Sequence, residues 1–131
     1  MATETNCAFC AISAGQGPGE TVVVREWPDA VAIRPRSGGV AGGHVLVLSR
    51  VHVPDAGANP AVTAAVMVRA AEVMAGFPAA NLITSKGGCA TQTVFHLHVH
   101  VVPRQADDGL PLPWTPQQQA RAARRACMGD V

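Results

Sequence analysis

Three of the five histidines in this 131-residue chain, His96, His98 and His100, alternate with Leu97 and Val99. In an extended strand successive side chains point to opposite faces. The spacing over Phe95–Arg104 therefore predicts three imidazoles on one face and Leu97, Val99 and Val101 on the other. Histidine is the common choice for metal ligation and for proton transfer near neutral pH, so one face is fitted for chemistry and the other for a core. A merely solvated polar face would explain a lone histidine better than three in strict alternation. An imidazole attacks phosphorus well when it is neutral, has one ring nitrogen free, and holds the other by donating to a backbone carbonyl. His98, in the middle, is the best placed.

Cys7-Ala8-Phe9-Cys10 is a second candidate group. Zinc takes about four thiolate, imidazole or carboxylate ligands, and a C-x-x-C pair commonly supplies two of them. The same spacing serves thiol redox proteins, where it opens a helix that follows a strand. No strand precedes Cys7, and five histidines are available to complete a metal site, so zinc is the favoured reading. Cys89 and Cys127 read as ordinary thiols. Lys86–Thr93 brings glycines, a lysine, an amide and a hydroxyl to a point just before the histidine strand. Such a segment can aim backbone N–H groups at an anion, although a plain connecting loop has the same composition. Its position beside three aligned histidines favours the phosphate reading.

These groups need elements to position them. Cys7–Ala14 is expected in or beside a short helical turn, ended by Gly15-Gln16-Gly17-Pro18-Gly19. Thr21–Arg25 and Ala30–Ile33 read as strands of a hairpin about Trp27-Pro28-Asp29, and the glycine-rich stretch from Arg34 to Gly43 as a loop. Val45–Leu48 reads as a central strand covered on both faces, with His44 and His52 on its flanks. Asn59-Pro60 starts a long helix with Val62, Val66, Ala70, Val73 and Phe77 on one stripe; Met67 and Met74 pack beside it, and Gly76 and Pro78 stop it. Asn81–Ser85 is a fourth strand. Beyond Arg104 a loop runs to Pro113, followed by Trp114 and a polar stretch from Gln117. Strands in a run with one long covering helix indicate an α+β domain with a largely antiparallel sheet.

The length suits one domain over residues 1–131, with a core at 7–104 and a C-terminal tail at 105–131. Charged residues make up 15% and the net charge is +1, which gives no broad footprint for DNA or RNA. There is no basic-then-apolar start and no apolar run long enough to span a bilayer, so the chain reads as a soluble cytoplasmic protein without membrane partners.

His96-Leu97-His98-Val99-His100-Val101-Val102 resembles the signature of the histidine triad (HIT) family. Cys7-x-x-Cys10, Gly43–Leu48 followed by His52, and Gln92-Thr93-Val94-Phe95 fall in the matching order. The resemblance implies a five-stranded antiparallel sheet with one long and one short N-terminal helix, paired into a homodimer with a continuous sheet. It also implies nucleotide hydrolysis or nucleotidyl transfer. In that pattern His98 attacks the α-phosphorus, His100 donates to phosphate oxygens or the leaving group, the His96 carbonyl holds the His98 tautomer, and His44 helps orient the group. Cys7, Cys10, His52 and His96 would hold a structural zinc. Gln92 and Thr93 match the phosphate contacts, and Ser85 and Gly87 complete the candidate substrate loop. Where many members carry an acidic ribose contact, this chain reads Ile33-Arg34-Pro35-Arg36. Arg34 and Arg36 are candidates for an extra phosphate or other anion, or form a solvated edge. Ser85 stands where asparagine is common and Thr91 where glycine is common. Trp114 either approaches the partner's site or anchors packing. A nucleotide-binding or partner-interaction protein with incidental catalysis is the alternative function.

Overall fold

The computed structural model describes residues 6–114. Cys127 and the polar stretch from Gln117 lie outside the described residues. The elements are α1 (Ala8–Ser13), β1 (Val23–Glu26), β2 (Ala30–Ile33), β3 (Val45–Ser49), α2 (Pro60–Met74), β4 (Ala80–Ile83) and β5 (His98–Pro103). The strands form one five-stranded sheet in the order β1-β2-β3-β5-β4, with every neighbouring pair antiparallel. This is the α+β architecture expected from the sequence. Among the described residues no helix is long and apolar enough to cross a membrane.

Local chemistry accounts for most of the boundaries. Trp27 N–H closes the β1–β2 turn on the Ala30 carbonyl at 2.9 Å. Asn59 Oδ1 accepts from the N–H groups of Ala61 and Val62 at 3.2 and 3.5 Å, and Pro60 occupies the first turn of α2, so that end is capped as its residue types require. Val66 and Ala70 on the α2 stripe are fully buried, with Val62, Val73, Phe77, Met67 and Met74 packed around them.

Strand pairing sorts the sheet into two faces, because directly paired residues point the same way. Val47 pairs with Val99 and Val45 with Val101, and this face forms the main core beneath α2. Leu48 pairs with His98 and Leu46 with His100 on the opposite face. There Leu46, Leu48, Val31 and Ile33 make a smaller core with Phe9 of α1. The histidines thus stand on a floor of fully paired central strands.

Three expectations shift. The histidine strand begins at His98 rather than Phe95: Ser49 N–H still bonds the Leu97 carbonyl at 3.3 Å in the β3–β5 register, but Leu97 N–H turns to the Val53 carbonyl at 2.8 Å. The bond to Val53 ends the ladder there and leaves His96 against the 49–53 segment. β1 starts two residues late, beside a bulge between Val23 and Arg25. β4 ends at Ile83, so Ser85 belongs to the following loop, which contains a 3-10 turn at Gly88–Ala90.

Candidate active site and metal corner

Cys7 is the N-cap of α1, where its Sγ accepts from Cys10 N–H at 3.4 Å. One turn therefore presents both sulfurs on the same side. Arg50 braces the helix by donating from Nη1 to the Ser13 carbonyl and from Nε to the Trp27 carbonyl. Opposite the sulfurs, His96 is completely buried, with Nε2 2.6 Å from the Ser49 carbonyl oxygen. A carbonyl can only accept, so Nε2 carries the hydrogen and Nδ1 keeps its lone pair. That nitrogen lies 3.3 Å from Cys7 Sγ, 3.5 Å from Cys10 Sγ and 3.3 Å from His52 Nδ1; Cys10 Sγ is 3.3 Å from His52 Nδ1. A tetrahedral zinc with ordinary bond lengths separates two nitrogens by about 3.3 Å and nitrogen from sulfur by about 3.5 Å. The four donor atoms, all within 4.8 Å of one another, therefore fit a metal ion of that kind.

The backbone carbonyl of His96 serves the next histidine. His98 Nδ1 is 2.7 Å from it, so Nδ1–H donates and His98 Nε2 is left with a free lone pair. Phe9 meets both rings edge-on, with centroids 5.9 Å from His96 and 5.1 Å from His98. On the strand side, Thr84 Oγ1 donates to the His98 carbonyl at 2.8 Å.

At His100 the polarity is opposite. Val40 N–H donates to His44 Nδ1 at 3.1 Å, so the His44 hydrogen resides on Nε2. His44 Nε2 then donates to His100 Nδ1 at 3.0 Å, which leaves the His100 hydrogen on its own Nε2. Burial lowers the pKa of His44. Burial first, and then the neighbouring His98 and His44, push His100 down to about 4. Both rings are neutral at pH 7. The 5.2 Å ring pair of His98 and His100 therefore offers one lone pair and one N–H.

A HIT domain family model matches residues 17–107. The chain belongs to the HIT family. It is 35% identical over 116 residues to an uncharacterized HIT-like protein of Mycobacterium tuberculosis, covering 79% of this chain and 75% of that one. It is 25% identical over 115 residues to the adenylylsulfatase HINT3 of Arabidopsis thaliana, covering 82% of this chain and 56% of that protein. A Zn-bound histidine triad family protein from Mycobacterium smegmatis superposes with a TM-score of 0.67 at 31% identity, over 82% of this chain and 81% of that one. HIT family proteins are generally nucleotide hydrolases or transferases.

Within this HIT domain the remaining candidates separate into two groups. Gln92 is buried and turned inward: Oε1 accepts from Gly87 N–H at 2.8 Å, while Nε2 donates to the carbonyls of Pro54 at 2.6 Å and Val94 at 3.2 Å. Its own N–H bonds the Gly87 carbonyl at 3.1 Å. Gln92 and the Gly87 peptide are thus struts that shape the loop, since both amide hydrogens and the Gly87 N–H are already spent. Both were expected as substrate contacts, and the hydrogens named are taken within the chain. Thr93 is exposed beside them and Ser85 is half-buried at the start of the loop. Arg34 and Arg36 are exposed beyond the end of β2, where Arg36 pairs with Glu20, also exposed, at 3.6 Å. The solvated-edge reading describes that pair, which contributes little to stability. Trp114 is half exposed. Sequence reasoning missed Ser49, Thr84 and the Val40 amide, because their contributions come from backbone groups or long-range contacts without a local signal.

Proposed function

We propose that this chain is a nucleotide hydrolase or nucleotidyl transferase whose nucleophile is His98 Nε2. The observation that carries the reading is the opposed hydrogen placement on adjacent histidines: a lone pair at His98 Nε2 and a donor at His100 Nε2. In the first step the His98 lone pair forms a bond to the α-phosphorus as the bond to the leaving group breaks, and the leaving group departs with that electron pair. The positive charge on the nucleotidyl-imidazole is stabilised through Nδ1–H by the His96 carbonyl. Neutral His100 contributes a hydrogen bond to the phosphate or leaving-group oxygens, where charge accumulates in the transition state, and is not a proton reservoir. Water or another acceptor then displaces His98 from phosphorus. Thr93, Ser85 and Arg34 remain the substrate-side candidates of this reading.

The same reading assigns zinc to Cys7, Cys10, His52 and His96. When bound by four protein ligands it has no open position, so it supplies a cross-link rather than an activated water. A homodimer is also part of the proposal: among the described residues β4 has a strand partner on one side only and Ile83 is 40% exposed, leaving an edge where a second copy can add. The mass in solution tests that point.

Turnover is the test of function. The protein is incubated with nucleoside phosphoramidates, dinucleoside polyphosphates and adenylyl sulfate, alongside His98→Ala. Turnover that falls at least ~10⁴-fold in a folded His98→Ala variant is expected for loss of a covalent nucleophile. Equal rates in the two proteins exclude His98 as nucleophile, and tight nucleotide binding with no product favours the binding-protein alternative.

A further inference from the structure

We propose that Gly39 is a positioning residue that fixes which way the His44–His100 hydrogen bond runs. A hydrogen bond between two neutral imidazoles can point in either direction. If it ran from His100 Nδ1–H to His44 Nε2, the His100 hydrogen would sit on the wrong nitrogen and no donor would face the phosphate. The Val40 N–H breaks this tie, because it occupies the His44 Nδ1 lone pair at 3.1 Å and so forces the His44 hydrogen onto Nε2.

The Val40 amide reaches that nitrogen because Gly39 has φ +80°, a left-handed conformation in which the chain doubles back over the His44 ring. The approach leaves no room for a side chain. A Cβ added at Gly39 would overlap His44 Nδ1 and come within 2.7 Å of Cβ and 2.8 Å of Cγ. Backbone atoms and a buried ring form this contact, so neither side can yield as the tip of a flexible side chain would. Gly38 supplies an internal control. It has φ +82°, and a Cβ there meets nothing within 4 Å. The two neighbouring glycines thus share the same backbone demand and differ in what a methyl group would strike.

The proposal rests on the reading of His100 as the phosphate donor, and its test has a part that does not. Gly39→Ala and Gly38→Ala are compared with the unaltered protein by ¹⁵N spectroscopy of the imidazoles and by steady-state kinetics. In the unaltered protein and in Gly38→Ala, His44 should carry hydrogen only on Nε2 and His100 only on Nε2. Gly39→Ala should show a mixed or reversed pattern at both, with kcat about tenfold or more below that of Gly38→Ala and KM within about threefold. Identical imidazole spectra in the two variants overturn the proposal, as does an equal loss of kcat in both, which would mark backbone strain alone. If Gly39→Ala does not fold, a through-bond coupling between Val40 N and His44 Nδ1 in the unaltered protein decides: its presence supports the clamp and its absence removes it. If no substrate is turned over but the hydrogens shift as stated, the clamp stands and the functional reading fails.

Discussion

The two ends of the histidine segment use one residue type for unlike purposes. At the His96 end every ring atom capable of bonding is committed: Nε2 to the Ser49 carbonyl, and Nδ1 towards two sulfurs and a second imidazole, with no exposure to solvent. At the His100 end a chain of donors runs from Val40 through His44 and finishes on an N–H at a half-buried ring. One end is closed and the other is directional. The difference comes from the neighbours, since a carbonyl oxygen facing one nitrogen and an amide hydrogen facing another fix opposite tautomers on identical rings. His98 lies between them and takes its orientation from the closed end through the His96 carbonyl.

The strongest way to break this contrast is to open the closed end. Cys7→Ser retains a good N-cap for α1 while removing a thiolate, so cap loss does not confuse the result. The variant should bind less zinc, and its stability should fall by about 4 kcal/mol under conditions where the unaltered protein holds zinc at about a thousand times its Kd. A chelator should lower the unaltered protein to the same level and leave Cys7→Ser unchanged. Equal metal content and equal unfolding midpoints would remove the zinc assignment, and the closed end would then be a hydrogen-bonded cluster only.

How much of this contrast the sequence revealed depends on whether a contact is local. That His98 and His100 share one face while Val99 and Val101 turn to the other follows from alternation, because a side-chain period of two sends successive residues to opposite faces. Cys7, Cys10, His52 and His96 could be grouped before their geometry was known, and the structure brings them within 4.8 Å of one another. Direction was not legible. Whether His44 donates or accepts depends on the Val40 amide, a group every residue but proline possesses, and only the turn at Gly39 aims it. Gln92 shows the same limit: its residue type suits a phosphate contact, but the amide is spent on Gly87, Pro54 and Val94. The departure of His96 from the strand was equally hidden, since it depends on bonds between Leu97 and the distant 49–53 segment.

Acid should separate the two ends less severely than metal loss. Burial first, with smaller contributions from His98 and His44, holds His100 at about 4, against about 6.5 in an unfolded chain. Between those values the unfolded chain takes up a proton that the folded chain refuses. The contribution of this group is therefore constant above about pH 6.5, declines as pH falls, and is lost by about pH 4, for a total of about 3 kcal/mol. Urea midpoints from pH 7.5 to 4.5 should fall more steeply for the unaltered protein than for a folded His100→Asn variant. Parallel profiles would mean that the open end gives no resistance to protonation, and that acid sensitivity belongs to the metal corner.

The smallest effect concerns the loop that leads from β4 into the histidine segment. Thr91 has φ +70° and ψ +20°, a left-handed conformation that a β-branched residue adopts at a cost of about 1–2 kcal/mol. Glycine would remove that cost but would lose up to about 1 kcal/mol through the greater freedom of its unfolded chain. It would also lose the hydrogen bond from Thr91 Oγ1 to the Ala90 carbonyl, which is exposed and contributes little. The balance predicts that Thr91→Gly gains about 0.5 kcal/mol, a rise of roughly 2 °C in Tm for a chain of this size. A gain would show that strain is held beside the catalytic face, in a loop whose shape Gln92 already locks, and kinetics would then show whether that strain assists turnover. A loss of stability would mean that the Thr91 side chain is favourably bound, and that this loop is held by side chains as well as by its backbone.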